Sequence, residues 1–241
     1  MKGWRSMSCA RRRTTAAITK VAFLVLVVGC GSKLLSPEEH IAKLVEEGWK
    51  FFASGEYSTA EARFQEAAVI DAGDPGVELG LGWTYLRENR LSEAASALAK
   101  ITPAAAGSYL HARAALAIVY DAQTMFDRSI TAAQIVVTHE PGYVLQYDER
   151  VDWRDMCYLL AKNYLLLSAQ ADPDLSRTLR YLARIDTAPE LDPDDPATWT
   201  AGGSTYGTLP EAALKRLEAL QYLIMDSAAP VAGRVAGLSG K

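Results

Sequence analysis

Three histidines and two acidic clusters are the groups in this 241-residue chain with the chemistry for a metal or a reaction. His40, His111 and His139 are far apart in the chain, and none is spaced from another as zinc ligands are. His139-Glu140-Pro141 is not a zinc-protease pair, because a second histidine is missing and proline breaks the helix that would align two ligands. No G-x-S-x-G elbow and no phosphate-binding Walker loop occurs. Asp192, Asp194 and Asp195 fail the calcium-loop spacing and lack its closing glutamate, so they read as solvated loop acids. Asp148, Glu149, Asp152 and Asp155 are denser and could dock a cation or a basic partner. A solvated face with Asp152 capping a helix is the favoured reading of the four. No cofactor, no metal site and no enzymatic activity are expected.

Charge narrows the function classes. Residues 1–29 carry six basic side chains and no acid; the rest of the chain carries 19 basic against 29 acidic, a net of −10. Nucleic-acid binding needs a basic face to displace counterions, and no basic cluster follows residue 29. The basic start leads into the apolar run Val21–Val28, too short to span a bilayer as a permanent helix, then Gly29-Cys30-Gly31-Ser32. Val27-Val28-Gly29-Cys30 resembles the lipobox of bacterial lipoproteins. The resemblance implies that residues 1–29 are a signal peptide, that Cys30 receives the lipid, and that residues 30–36 are a tether. Gly31 and Ser32 give no inner-membrane retention signal of the aspartate type, which points to the periplasmic face of the outer membrane. Of the other cysteines, Cys9 leaves with the signal. Cys157 falls on an apolar helical stripe with Leu160, Ala161 and Tyr164, as a buried inert thiol would.

The elements that carry these groups are helical. Ile41, Leu44, Val45, Gly48, Phe51 and Phe52 recur at helical period. A second helix follows the turn Ser54-Gly55-Glu56, with Ser58 and Glu61 spaced as a capping box and Ala60, Phe64, Ala67 and Ala68 on one stripe. The pair recurs: Gly82, Tyr85, Ala94 and Leu98 stand 34 residues after Gly48, Phe51, Ala60 and Phe64. Ala117 and Tyr120 come 35 residues later, and Ala161 and Tyr164 another 44. Helices are also marked by Ser36-Pro37-Glu38-Glu39 at the start, Asn89 in a glycine-like turn slot, and Ser108 opening the third hairpin. Residues 142–152, GYVLQYDERVD, are an insertion between the third and fourth hairpins. They are too polar for core and too aromatic for a plain linker, so an ordered loop or extra helical turn is expected. Residues 187–207 read as loop. Thr208 with Glu211 then opens a last helix bearing Leu214, Leu217, Leu220 and Ile224, and residues 227–241 read as a tail.

This pattern resembles the tetratricopeptide repeat, over residues 41–143 well and 154–186 loosely. The leading tryptophan of that motif is replaced by Leu44, Glu78, Arg113 and Cys157, and Ser129 and Ala133 are weak second-helix residues. The resemblance implies an all-α fold: a right-handed α-solenoid of about four hairpins over residues 37–226, closed by a C-terminal capping helix. It also implies a concave face lined by the first helices. By position that face holds Trp49 and Phe52, Trp83 and Leu86, Ile118 and Asp121, and Lys162 with Tyr158 one turn earlier. Trp49 and Trp83 either pack as core or form an exposed aromatic strip, and because Phe51 and Tyr85 already fill core slots the strip is favoured.

Two functions follow as expectations. One is a lipid-anchored scaffold or adaptor of the outer membrane that holds a protein or peptide partner in the concave groove. The alternative is a small-ligand-binding accessory lipoprotein of a periplasmic transport system, which a closed apolar pocket between Trp49, Trp83 and the last helix would favour.

Overall fold

A computed structural model describes residues 35–171 and 175–224. The expected signal peptide, Cys30, most of the tether and the tail lie outside the described residues, as does the side chain of Ile224. Among the described residues nine α-helices run in order: α1 (Pro37–Ala53), α2 (Tyr57–Ile70), α3 (Pro75–Arg87), α4 (Leu91–Ala99), α5 (Ala106–Ala122), α6 (Phe126–His139), α7 (Trp153–Ala171), α8 (Ser176–Ile185) and α9 (Leu209–Ile224). The first eight form four consecutive hairpins, each packed on the next, in an α-solenoid. First helices touch first helices along the row α1, α3, α5, α7, and α9 takes the next place on α7.

The local signals explain most boundaries. Ser36 Oγ accepts from Glu39 N–H at 3.1 Å while Glu39 Oε2 accepts from Ser36 N–H at 2.8 Å, the expected capping box. Three hairpin turns use one device. Gly55 (φ 82°), Asn89 (φ 61°) and Thr124 (φ 58°) sit in the left-handed region. The next residue donates five positions back: Glu56 N–H to Phe51 O (2.9 Å), Arg90 to Tyr85 (2.8 Å) and Met125 to Tyr120 (2.8 Å). The second helix starts directly from that turn, so the expected Ser58–Glu61 capping box does not form. The cap position is Glu56, whose side chain makes no bond to the helix start, and Glu61 instead receives Gln65 Nε2 (2.7 Å) and Arg90 Nη1 (2.8 Å). Likewise α5 begins at Ala106, two residues ahead of the expected Ser108.

Close packing relies on missing side chains. The Phe64 ring lies between Gly48 of α1 and Gly80 of α3, and a Cβ on either glycine would overlap it. Gly82 makes the same room for Leu98. Ser129, a poor residue for its repeat position, is fully buried because its hydroxyl donates to Ala117 O (2.8 Å) and accepts from Asn163 Nδ2 (3.0 Å). That bond links α5, α6 and α7.

At the C-terminal end, α9 buries Leu209, Ala212, Ala213, Leu217 and Leu220. Leu214, expected on that stripe, is exposed, since the buried side runs through 213, 216, 217 and 220. Arg216 is buried among them. Its guanidinium donates to Thr200 O (2.7 Å), Pro189 O (2.6 Å) and Asp186 Oδ2 (2.9 Å), fastening the 187–207 segment to α9. That segment contains a 3-10 turn at Pro196–Thr198 and a two-stranded hairpin, β1 (Thr200–Ala201) with β2 (Ser204–Thr205). No helix of the described residues is long and apolar enough to cross a membrane.

Candidate concave-face interface

The face formed by the first helices is covered over much of its length by the chain itself. The 142–152 insertion is an ordered loop, and the judgement that it is too polar for core is corrected. Tyr143 and Leu145 are completely buried and Val151 nearly so. Its base closes as a narrow ladder: Val144 bridges Asp152, Leu145 N–H donates to Val151 O (2.9 Å), and Trp153 N–H donates to Tyr143 O (2.7 Å). Its tip reaches the first two hairpins. Tyr147 stacks face to face on Trp49 of α1, ring centroids 3.8 Å apart. Asp148 receives Arg87 Nη2 of α3 at 2.5 Å. Between base and tip, the Tyr143 hydroxyl lies 3.0 Å from His111 Nδ1 of α5.

The tryptophans therefore do not form a strip open to solvent. Trp49 is 6 % exposed, wedged edge-on against Phe52 and Phe64 beneath Tyr147, and Phe52 and Trp83 are fully buried. Their hydrogen-bonding is incomplete: among the described residues neither Trp49 Nε1 nor Trp83 Nε1 has an acceptor. Leu86, Ile118, Asp121 and Lys162 remain half-buried, whereas Tyr158 is buried. Asp121 and Lys162 are joined to each other across α5 and α7, Nζ to Oδ2 at 2.6 Å. Burial, then the charges of Asp121 and Glu218, push the Tyr158 phenol up to about 12, so it is a neutral donor.

The solvated-face reading of the acidic cluster holds for Glu149 alone: Asp148, Asp152 and Asp155 are buried and bonded internally. Asp152 and Asp155 cap α7: Asp152 Oδ1 accepts from Arg154 N–H (2.7 Å), and Asp155 Oδ2 accepts from Asp152 N–H (2.7 Å). Asp148 holds Arg87 and both ends of the Arg150 guanidinium, Nε at 2.6 Å and Nη2 at 2.8 Å. Burial raises the Asp148 carboxyl, but the Arg150 bonds and the Arg87 charge outweigh it and leave the group below its ordinary range. Burial lowers His111, with the Glu140 charge opposing. Burial also raises the Cys157 thiol to about 11, consistent with an inert core cysteine.

Among the described residues no group of His, Cys, Asp and Glu is placed to hold a metal. A cavity of about 460 Å³ opens between α8 and the 186–193 segment, but its paired Asp186 and Arg216 are the clamp on α9. Arg87, His111, Tyr143 and Tyr147 are residues of this face that repeat spacing does not single out. Their one signal is that the fourth hairpin starts ten residues late and that the extra segment is aromatic.

Comparison with known proteins adds the family. Residues 51–119 match the tetratricopeptide repeat family model, which covers the second helix of the first hairpin, the whole second hairpin and most of α5. No curated protein and no solved structure matches the chain.

Proposed function

The chain is a tetratricopeptide-repeat protein, and from that premise we propose that it is a lipid-anchored scaffold holding a protein partner on its concave face. Tetratricopeptide repeats are protein-interaction scaffolds, so binding without catalysis is the role that the family suggests. One observation carries the reading: Leu86, Ile118, Asp121 and Lys162 come from three first helices packed in succession, with Asp121 and Lys162 in contact, and all four are half-buried. A row that is neither core nor fully solvated offers apolar contact with Leu86 and Ile118 and a charged pair to orient it. The small-ligand alternative gains nothing here, because Tyr147 fills the space over Trp49 where its pocket would lie.

Photo-crosslinking amino acids at positions 118 and 162, in intact envelopes, test the reading. A discrete crosslinked protein from both is the expected result. Crosslinks only from a control at Val69, an exposed residue of α2, would move the interface to the second helices. The anchor has its own test. Cys30→Ser should give an unprocessed precursor that takes up no palmitate, and sedimentation of the wild type should place it with outer membrane. Normal maturation of the variant overturns the anchor.

A further inference from the structure

Building on the scaffold reading, we propose that the loop tip, residues 147–150, is a built-in occupant of a docking groove. The groove's external ligand is an extended partner segment with an aromatic residue followed by an acidic one. The loop has two parts with different anchoring. The base is core, through Tyr143, Leu145 and Val151 and its own backbone ladder. The tip rests on the surface of other helices. Tyr147 is half-buried and Gln146 and Glu149 beside it are exposed; the tip meets the groove through the Tyr147 ring, face-on to Trp49 and edge-on to His111, through the Asp148–Arg87 ion pair, and through Arg150 hydrogen-bonded to Tyr57. Two backbone bonds hinge the tip on the base, Asp148 N–H to Leu145 O (3.2 Å) and Val151 N–H to Asp148 O (3.0 Å).

The seat is built without the tip. Trp49 is fixed from below by Phe52 and Phe64, and Arg87 stands at the end of α3. Both keep unmet donors while the tip is seated: Trp49 Nε1 has no acceptor, and Arg87 Nε is buried with none. A guanidinium can offer two parallel N–H groups to one carboxylate. Asp148 cannot accept both, since its two oxygens also serve Arg150. The tip thus matches the groove in shape and charge while leaving hydrogen bonds that a free segment can complete. An aromatic ring on Trp49 and an unshared carboxylate on Arg87 reproduce Tyr147-Asp148, and a backbone carbonyl near the indole would satisfy Nε1.

A tethered occupant competes at an effective concentration on the order of millimolar, so opening the tip should raise affinity for a segment in trans. The test uses the purified full chain in detergent and a fluorescein-labelled peptide of the tip sequence, Val-Leu-Gln-Tyr-Asp-Glu-Arg, read by anisotropy. Tyr147→Ala with Asp148→Ala opens the groove. This chain should bind the peptide at least tenfold more tightly than wild type. The gain should vanish when Arg87→Ala is added or when the peptide carries Asn for Asp. An opened chain with native circular dichroism and no gain in binding overturns the proposal. Should the double variant lose its fold, hydrogen exchange of the wild type decides. The Asp148 amide, bonded to Leu145 O, should exchange at least tenfold faster than the Leu145 amide, bonded to Val151 O. Equal protection would make the tip a permanent cover and overturn the proposal. None of these readings needs the cellular partner, so a failed crosslinking screen and a failed peptide assay are distinct results.

Discussion

Trp49 and Tyr147, 98 residues apart in the chain, lie face to face with ring centroids 3.8 Å apart and planes 5° from parallel. The contact joins the first hairpin to the connection between the third and fourth, a longer reach than the neighbour-to-neighbour contacts of a solenoid. Aromatic pairs contribute about 0.5–1.5 kcal/mol beyond the area they bury. Tyr147→Ala should lower stability by about 1 kcal/mol or somewhat more in urea titrations, and Tyr147→Phe should stay within about 0.5 kcal/mol of wild type. Equal losses from both would mean that the hydroxyl, not the ring, makes the contact.

The Phe64 wedge sets a second expectation. Gly80→Ala places a methyl group inside the ring's volume, and overpacking of this kind costs about 1–3 kcal/mol. Gly107, inside α5 with open space around its Cα, is the control. There the same change should be neutral or stabilise by up to about 1 kcal/mol, through helix propensity alone. Thermal midpoints of the two variants should move apart; a shared shift would remove the wedge as the cause.

What was legible in the sequence is what repeats or what is local. Gly48, Gly82, Ala117 and Ala161 mark the four first helices because one hairpin cannot bury its faces alone and its solution is reused. The Ser36 cap is readable because its partners lie three residues apart. The Ser58–Glu61 pair has the same spacing and fails, because the turn at Gly55 starts α2 before Ser58 can cap it. Gly80 stands outside the repeat positions, and only the fold shows that Phe64 of the preceding hairpin needs it. The site was least legible. Spacing placed Trp49 and Trp83 on the concave side, but what covers Trp49 comes from an insertion whose partners are set by tertiary path and not by period.

The loop's titratable contacts predict a pH response. Burial depresses the folded His111 below its unfolded value of about 6.5. The unfolded chain therefore takes up a proton that the native state refuses, and stability is full above about pH 6.5 and falls as pH drops through the folded value. Asp148 is also depressed in the fold, so its contribution is complete above about pH 4 and is lost below, as pH falls through its folded value. The urea midpoint should decline from pH 7 to 5, then further in acid. His111→Gln should flatten the first part and leave the second. A variant that keeps the whole slope would assign the response to other groups.

Arg216 gives the sharpest test of the C-terminal end. It is a buried cation with three named acceptors, Asp186 and the carbonyls of Pro189 and Thr200, and so links α9 to the 187–207 segment at two points and to the residue before it. Removing one partner of a buried ion pair costs about 3–5 kcal/mol, because the remaining charge and carbonyls lose their bonds without regaining water. Arg216→Met should therefore release the segment. Arg216→Lys keeps the charge but not the fork, and should fall between the two. Damage in a stack of hairpins stays near its origin, so α1 to α6 should remain folded while the C-terminal end loosens. Limited proteolysis is the measurement. Cleavage within 187–207 should appear in the Met variant under conditions where the wild type is resistant, with a fragment containing the first three hairpins left intact. Simultaneous digestion of the whole chain would show that α9 stabilises the entire stack and does not act as a local cap.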